Sequence, residues 1–81
     1  MPIFSFEERV PCIAASAYVA PSAQIIGDVR IEECCYIGHG AILRGDYGTI
    51  HVGYGSAIEE GVIVHARPAD QTVFGREVTV G

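Results

Sequence analysis

Large apolar residues recur every six positions through Val19, Ile25, Ile31, Ile37 and Leu43, and short residues follow each of the first four at Ala23, Val29, Cys35 and Ala41. An α-helix repeats its buried face every 3.6 residues and a half-buried strand every second residue, so neither element accounts for a period of six. A three-sided coil does. Each hexapeptide then supplies one short strand and one corner, its large residue filling the interior and its short residue fitting where the wall turns inward. Three hexapeptides, roughly 18 residues, close one rung, and stacked rungs bury a continuous apolar column. Each fully buried aliphatic side chain contributes about 1.5–3 kcal/mol.

The pattern lapses after Arg44-Gly45-Asp46-Tyr47-Gly48 and resumes at Val52, Ile58 and Val64, with Ser56 and Val62 in the short positions. A second lapse near Pro68-Ala69-Asp70 is followed by Phe74 and Val80. The expected fold is therefore all-β, a parallel β-helix of hexapeptide repeats. It forms one domain over residues 1–81, with 1–18 as lead-in and cap, 19–81 as an incomplete set of coils, and loop extrusions at Asp46–His51 and Ala66–Thr72. Loops added to a solenoid are where function accumulates. Gly27, Gly38, Gly40, Gly53, Gly55 and Gly61 are read as corner residues, because the chain lacks the glycine-lysine spacing of a phosphate-binding loop.

Composition narrows the partners. Five Arg and no Lys against ten acidic residues give a net charge of −5, which opposes a nucleic-acid-binding surface. Although 49% of residues are hydrophobic, no run approaches the roughly 20 apolar residues that span a bilayer, so no membrane partner is expected. Glu7, Glu8 and Arg9 interrupt the first ten residues where a secretory leader would be apolar, which makes the cytoplasm the expected location. Cys12, Cys34 and Cys35 form neither a disulfide framework nor a C-x-x-C motif and are read as reduced thiols. A chain of 81 residues has a thin core, which points to association with further chain or with a partner.

Four stretches in this order and spacing, Ile25-Ile26-Gly27-Asp28-Val29, Tyr36-Ile37-Gly38, Leu43-Arg44-Gly45-Asp46-Tyr47-Gly48 and Ile58-Glu59-Glu60-Gly61-Val62-Ile63-Val64-His65, resemble the γ-class carbonic anhydrase-like proteins. Met1-Pro2-Ile3 and the short Ala66–Thr72 loop resemble the subgroup associated with phenylacetate and carnitine operons. The resemblance implies a left-handed parallel β-helix and a homotrimer whose interfaces hold zinc or iron on three histidines, with His65 the first of them. It places the other two on the next rung, the first directly after Gly81.

It further implies an ion pair of Arg44 and Asp46 at the trimer interface, and roles beside the metal for Glu59 and Glu60. Glu59 stands where many relatives carry a Gln that orients water on the metal, and Ala57 where they carry an Asn. The two glutamates that export protons in the archaeal prototype correspond here to Tyr47 and to the neighbourhood of Pro68. The implied activity is reversible hydration of carbon dioxide by a metal-bound hydroxide. The same nucleophile suits an acyl-CoA thioester, and a trimeric scaffold or a metal-free hexapeptide acyltransferase are the other readings. On position alone, His65 follows inward Val64 and faces outward, as does His51 beside Val52, which reads as a solvated surface histidine. His39 lies in Gly38-His39-Gly40-Ala41-Ile42-Leu43-Arg44, a look-alike of the downstream metal stretch with Arg44 in place of the second ligand, and is not taken as a ligand.

Overall fold

The computed structural model describes residues 3–81, so Met1 and Pro2 of the lead-in lie outside the described residues. Ten parallel strands wind into a solenoid, and no helix occurs among the described residues. The strands are β1 (Ile3–Phe4), β2 (Cys12–Ile13), β3 (Tyr18–Val19), β4 (Gln24–Ile31), β5 (Tyr36–Ile37), β6 (Ile42–Val52), β7 (Ala57–Ile58), β8 (Ile63–His65), β9 (Gln71–Phe74) and β10 (Thr79–Val80).

Register stacks the large inward residues in three walls. The first wall stacks Ile13, Ile31, Val52 and Phe74. The second stacks Val19, Ile37, Ile58 and Val80. The third stacks Ile3, Ile25, Leu43 and Val64. The six-residue series is thus the core: Ile25, Ile31, Ile37, Leu43, Val52, Ile58 and Val64 are buried, and Val19 packs against them at the open N-terminal end. Ala23, Val29, Cys35, Ala41 and Ser56 fill the short positions, all buried. Ser56 is tolerated inside because its hydroxyl donates to the Gly75 carbonyl at 2.6 Å and accepts the Val78 N–H at 3.0 Å.

Two of the three corners are tight turns repeated from rung to rung. One joins the first wall to the second and is closed by bonds such as Ala17 N–H to the Ala14 carbonyl and Ser56 N–H to that of Gly53. The other joins the second wall to the third and is closed at Ala23 N–H to Ala20 and Ala41 N–H to Gly38. Gly40 and Gly61 stack at this second corner with φ of 74° and 75°, a region that a side chain penalises.

The third corner differs. Between strands in register it is turned by residues 5–11, 27–29, 45–50 and 66–72 on successive rungs, so every irregular segment of the chain falls on one edge. The extrusions are smaller than their sequence suggests. Thr49–Val52 pair with Gln71–Phe74, so the strand has resumed by Thr49, and Ile50 is fully buried as a short-position residue that the sequence reading left in the loop. Likewise Ala66 is buried and Gln71 and Thr72 belong to β9, leaving only residues 67–70 extruded.

Candidate functional site

The third wall carries its outward side chains in a regular ladder, because alternate residues of a strand face opposite ways. Phe4, Ile26, Arg44 and His65 are in register across β1, β4, β6 and β8. Beside them Gln24, Ile42 and Ile63 form a second file. Ile63 and Phe4 are 67% and 50% exposed, so this outer face presents apolar surface together with a guanidinium and an imidazole. His65 is exposed, and neighbouring strands of a sheet run about 4.8 Å apart, so its backbone lies one rung from that of Arg44.

Asp46 follows Arg44 by two positions and faces the same side. Arg44 Nε approaches Asp46 Oδ2 at 3.3 Å, and the other carboxylate oxygen accepts the Tyr47 N–H at 2.9 Å. Within one chain the two side chains already meet. Asp46 is only 18% exposed, which fixes it better than its half-exposed partner. As a contribution to stability a pair of this kind is worth about 0–1 kcal/mol. Its consequence is geometric: with Nε turned to Asp46, the two terminal nitrogens of Arg44 remain as donors on the face that carries His65.

Glu59 and Glu60 lie elsewhere, on the tight corner before β8. Glu60 accepts a hydrogen bond from the Tyr36 hydroxyl, and that bond, followed by a backbone N–H bond, holds its carboxyl below the ordinary range. The same bond, with lesser help from burial and the Glu60 charge, raises the Tyr36 phenol. Among the described residues no side-chain bond links either glutamate to Arg44, Asp46 or His65. No group of three His, Cys, Asp or Glu able to hold a metal comes together among the described residues.

The remaining histidines have partners of their own. His39 Nδ1 shares a 3.0 Å hydrogen bond with Ser22 Oγ. His51 is not the free surface group its position suggested: its Nε2 donates to Glu32 Oε2 at 2.7 Å, with one third of the side chain exposed. Cys12, Cys34 and Cys35 are all free thiols, Cys35 being buried. A cleft of about 230 Å³ lies around the third corner, lined by Cys12, Asp28, Arg30, Thr49 and His51 among others. A larger apolar hollow of about 470 Å³ is the open N-terminal end of the prism, lined by Ile3, Ile13 and Val19 among others, and neither hollow includes His65. Missing from the sequence-level site is Phe6, whose ring meets that of Tyr47 edge-on. The one signal available was its place as the single aromatic beside the charged run Glu7-Glu8-Arg9.

No protein-family model matches the chain. It is 40% identical over all 81 residues to the carnitine operon protein CaiE of Escherichia coli O157:H7, and equally to that of Escherichia fergusonii. It spans 41% of the length of these relatives. A solved structure, a hexapeptide transferase family protein from Anaplasma phagocytophilum, superposes with a TM-score of 0.91 at 37% identity, over 98% of this chain and 46% of that one. No helix among the described residues is long and apolar enough to cross a membrane. Repeat period, wall register and these likenesses agree: the chain belongs to the hexapeptide-repeat family, with the left-handed parallel β-helix that defines it.

Proposed function

We propose that this chain forms the first coils of a γ-carbonic anhydrase-like metalloenzyme, a cytoplasmic homotrimer that hydrates carbon dioxide reversibly. The observation that carries the reading is the placement of His65 one rung from an Arg44 oriented by Asp46, on an outward face that also exposes Ile63 and Phe4. Apolar surface of this kind favours burial against another copy.

A lone exposed imidazole fits as one donor, but it does not make a zinc or iron site, which takes three protein ligands and an open position. The rest of the donor set is assigned to further coils and a neighbouring subunit, in keeping with relatives more than twice as long. When bound, the ion would lower the pKa of its water from 15.7 towards about 7 and so supply a nucleophile at neutral pH. The residues of this chain do the rest. His65 offers an imidazole nitrogen. The terminal nitrogens of Arg44 offer a forked pair of donors that suits bicarbonate or the oxygen of a thioester carbonyl. Asp46 fixes their direction. Glu59 and Glu60 are kept as candidates for orienting water, since they flank the strand that carries His65.

A second reading, acyl-group chemistry on a coenzyme A thioester, is favoured by the likeness to a protein described as a hexapeptide transferase. The two separate in one experiment on the full-length protein. His65→Ala is expected to remove most of the bound metal, measured by elemental analysis, and to lower carbon dioxide hydration by at least about a hundredfold, on the scale set by loss of a principal catalytic group. Thioester hydrolysis without hydration would select the second reading. Unchanged metal and unchanged rates would remove His65 from the site and leave a trimeric scaffold.

A further inference from the structure

We infer that Phe6 is a positioning residue for the Arg44–Asp46 pair, acting through Tyr47; its functional consequence rests on the site proposed above. The lead-in folds back on itself near Phe6, where Phe6 and Arg9 exchange backbone hydrogen bonds of 2.9 Å in each direction. This small turn is held further by an Arg9–Glu7 ion pair at 2.9 Å. It delivers the Phe6 ring to Tyr47 with centroids 5.1 Å apart and planes at 74°, the edge-to-face arrangement that aromatic quadrupoles prefer.

Tyr47 is the hinge of the arrangement. Its N–H donates to Asp46 Oδ1 at 2.9 Å, while its carbonyl accepts the Ala69 N–H at 3.0 Å from the extrusion on the next rung. Gly48 next to it lies close under the same extrusion, where an added Cβ would meet the Ala66 Cβ at 2.6 Å. The main chain at Tyr47 is therefore clamped from one side by the Ala66–Asp70 segment. On the other side Phe6 covers part of the Tyr47 ring, and the residue as a whole is still 56% exposed. Asp46 takes its direction from the Tyr47 N–H, and Arg44 takes its direction from Asp46. Removing the ring of Phe6 frees the Tyr47 side chain and loosens this relay from its outer end, while the walls of the solenoid keep their register.

The test uses the full-length protein with Phe6→Ala, Phe6→Leu and Phe6→Tyr. Nuclear magnetic resonance follows the Tyr47 amide and the Arg44 Nε–H, and steady-state kinetics separates KM for bicarbonate from kcat. Phe6→Ala and Phe6→Leu are expected to shift both signals and speed their hydrogen exchange, with KM rising roughly tenfold, the size of one misdirected charge-assisted hydrogen bond. Bound metal stays constant and Phe6→Tyr restores the wild-type behaviour. If Phe6→Ala does not fold, Phe6→Leu carries the test, since it keeps apolar volume and removes only the ring edge. Unmoved signals in a folded variant overturn the role of Phe6. Moved signals in a protein that hydrates no carbon dioxide confirm the relay and overturn only the assigned reaction.

Discussion

The two tight corners and the irregular one are built from the same chain on the same rungs, yet they obey different rules. At the tight corners each turn repeats the one below it, and the stacked Gly40 and Gly61 show that backbone conformation is copied from rung to rung. At the irregular corner the chain passes through residues 27–29 on one rung and the longer 45–50 on the next, so no segment can copy its neighbour. There, packing between unlike segments replaces repetition: Phe6 on Tyr47, Gly48 under Arg67 and Asp70, and Ala69 bonded to Tyr47. In a solenoid, stability is nearly a sum over identical rung contacts, so a single corner can vary at little cost to the remainder. The Arg44–Asp46 pair stands at the start of that variable corner.

The largest effect is expected where repetition is broken. Ile37 is fully buried between Val19 and Ile58 on the second wall, away from the irregular corner. Ile37→Ala should cost about 2–5 kcal/mol, the range for truncating a core aliphatic, read as a lower urea midpoint in the full-length protein. It should leave the Arg44–Asp46 geometry intact in whatever fraction remains folded. A cost below about 1 kcal/mol would mean that the inner column is not the main source of stability.

An intermediate effect is expected at the irregular corner itself. A methyl group at Gly48 would meet the Arg67 carbonyl oxygen at 2.5 Å and the Ala66 Cβ at 2.6 Å. Gly48→Ala should therefore push the Ala66–Asp70 segment away, at about 1–3 kcal/mol by analogy with overpacking. Limited proteolysis is expected to cut first near Arg67, whose side chain is 83% exposed, while cleavage elsewhere stays slow. Uniform loss of protection along the chain would show that the corner is not an independent unit, contrary to the comparison.

The same contrast explains what was legible in the sequence. The inner column was readable because each member announces itself at a constant interval, and the outward direction of His65 follows directly from inward Val64. The pairing of Arg44 with Asp46 came from the resemblance, and residues two apart on a strand share the face that lets it close. Ile50 was missed because three extra residues between Gly45 and Ile50 shift the phase, and nothing in Asp46-Tyr47-Gly48-Thr49 marks where the strand resumes. His51 was misjudged because its partner Glu32 belongs to the rung below and leaves no mark in local sequence. The metal role proposed for His65 came from resemblance alone; period and exposure say only that it faces outward.

The smallest effect belongs to the Tyr36–Glu60 bond, which joins the second wall to a tight corner one rung away. Glu60 is exposed and Tyr36 only partly buried, so water screens much of the interaction. Its pH signature is nevertheless distinctive. Glu60 is held below its ordinary 4.5, chiefly by the Tyr36 hydroxyl, so its contribution to stability is complete above that value and is lost as pH falls through the depressed one. Tyr36 is raised above 10.0, chiefly by the same bond, so its contribution is complete below pH 10.0 and is lost as pH rises through the elevated value. Thermal unfolding of the full-length protein and Tyr36→Phe should accordingly differ by a small, constant amount from pH 5 to 9 and converge beyond each end. Curves that stay parallel into strong acid and alkali would remove the bond from the account of how one tight corner differs from its copies.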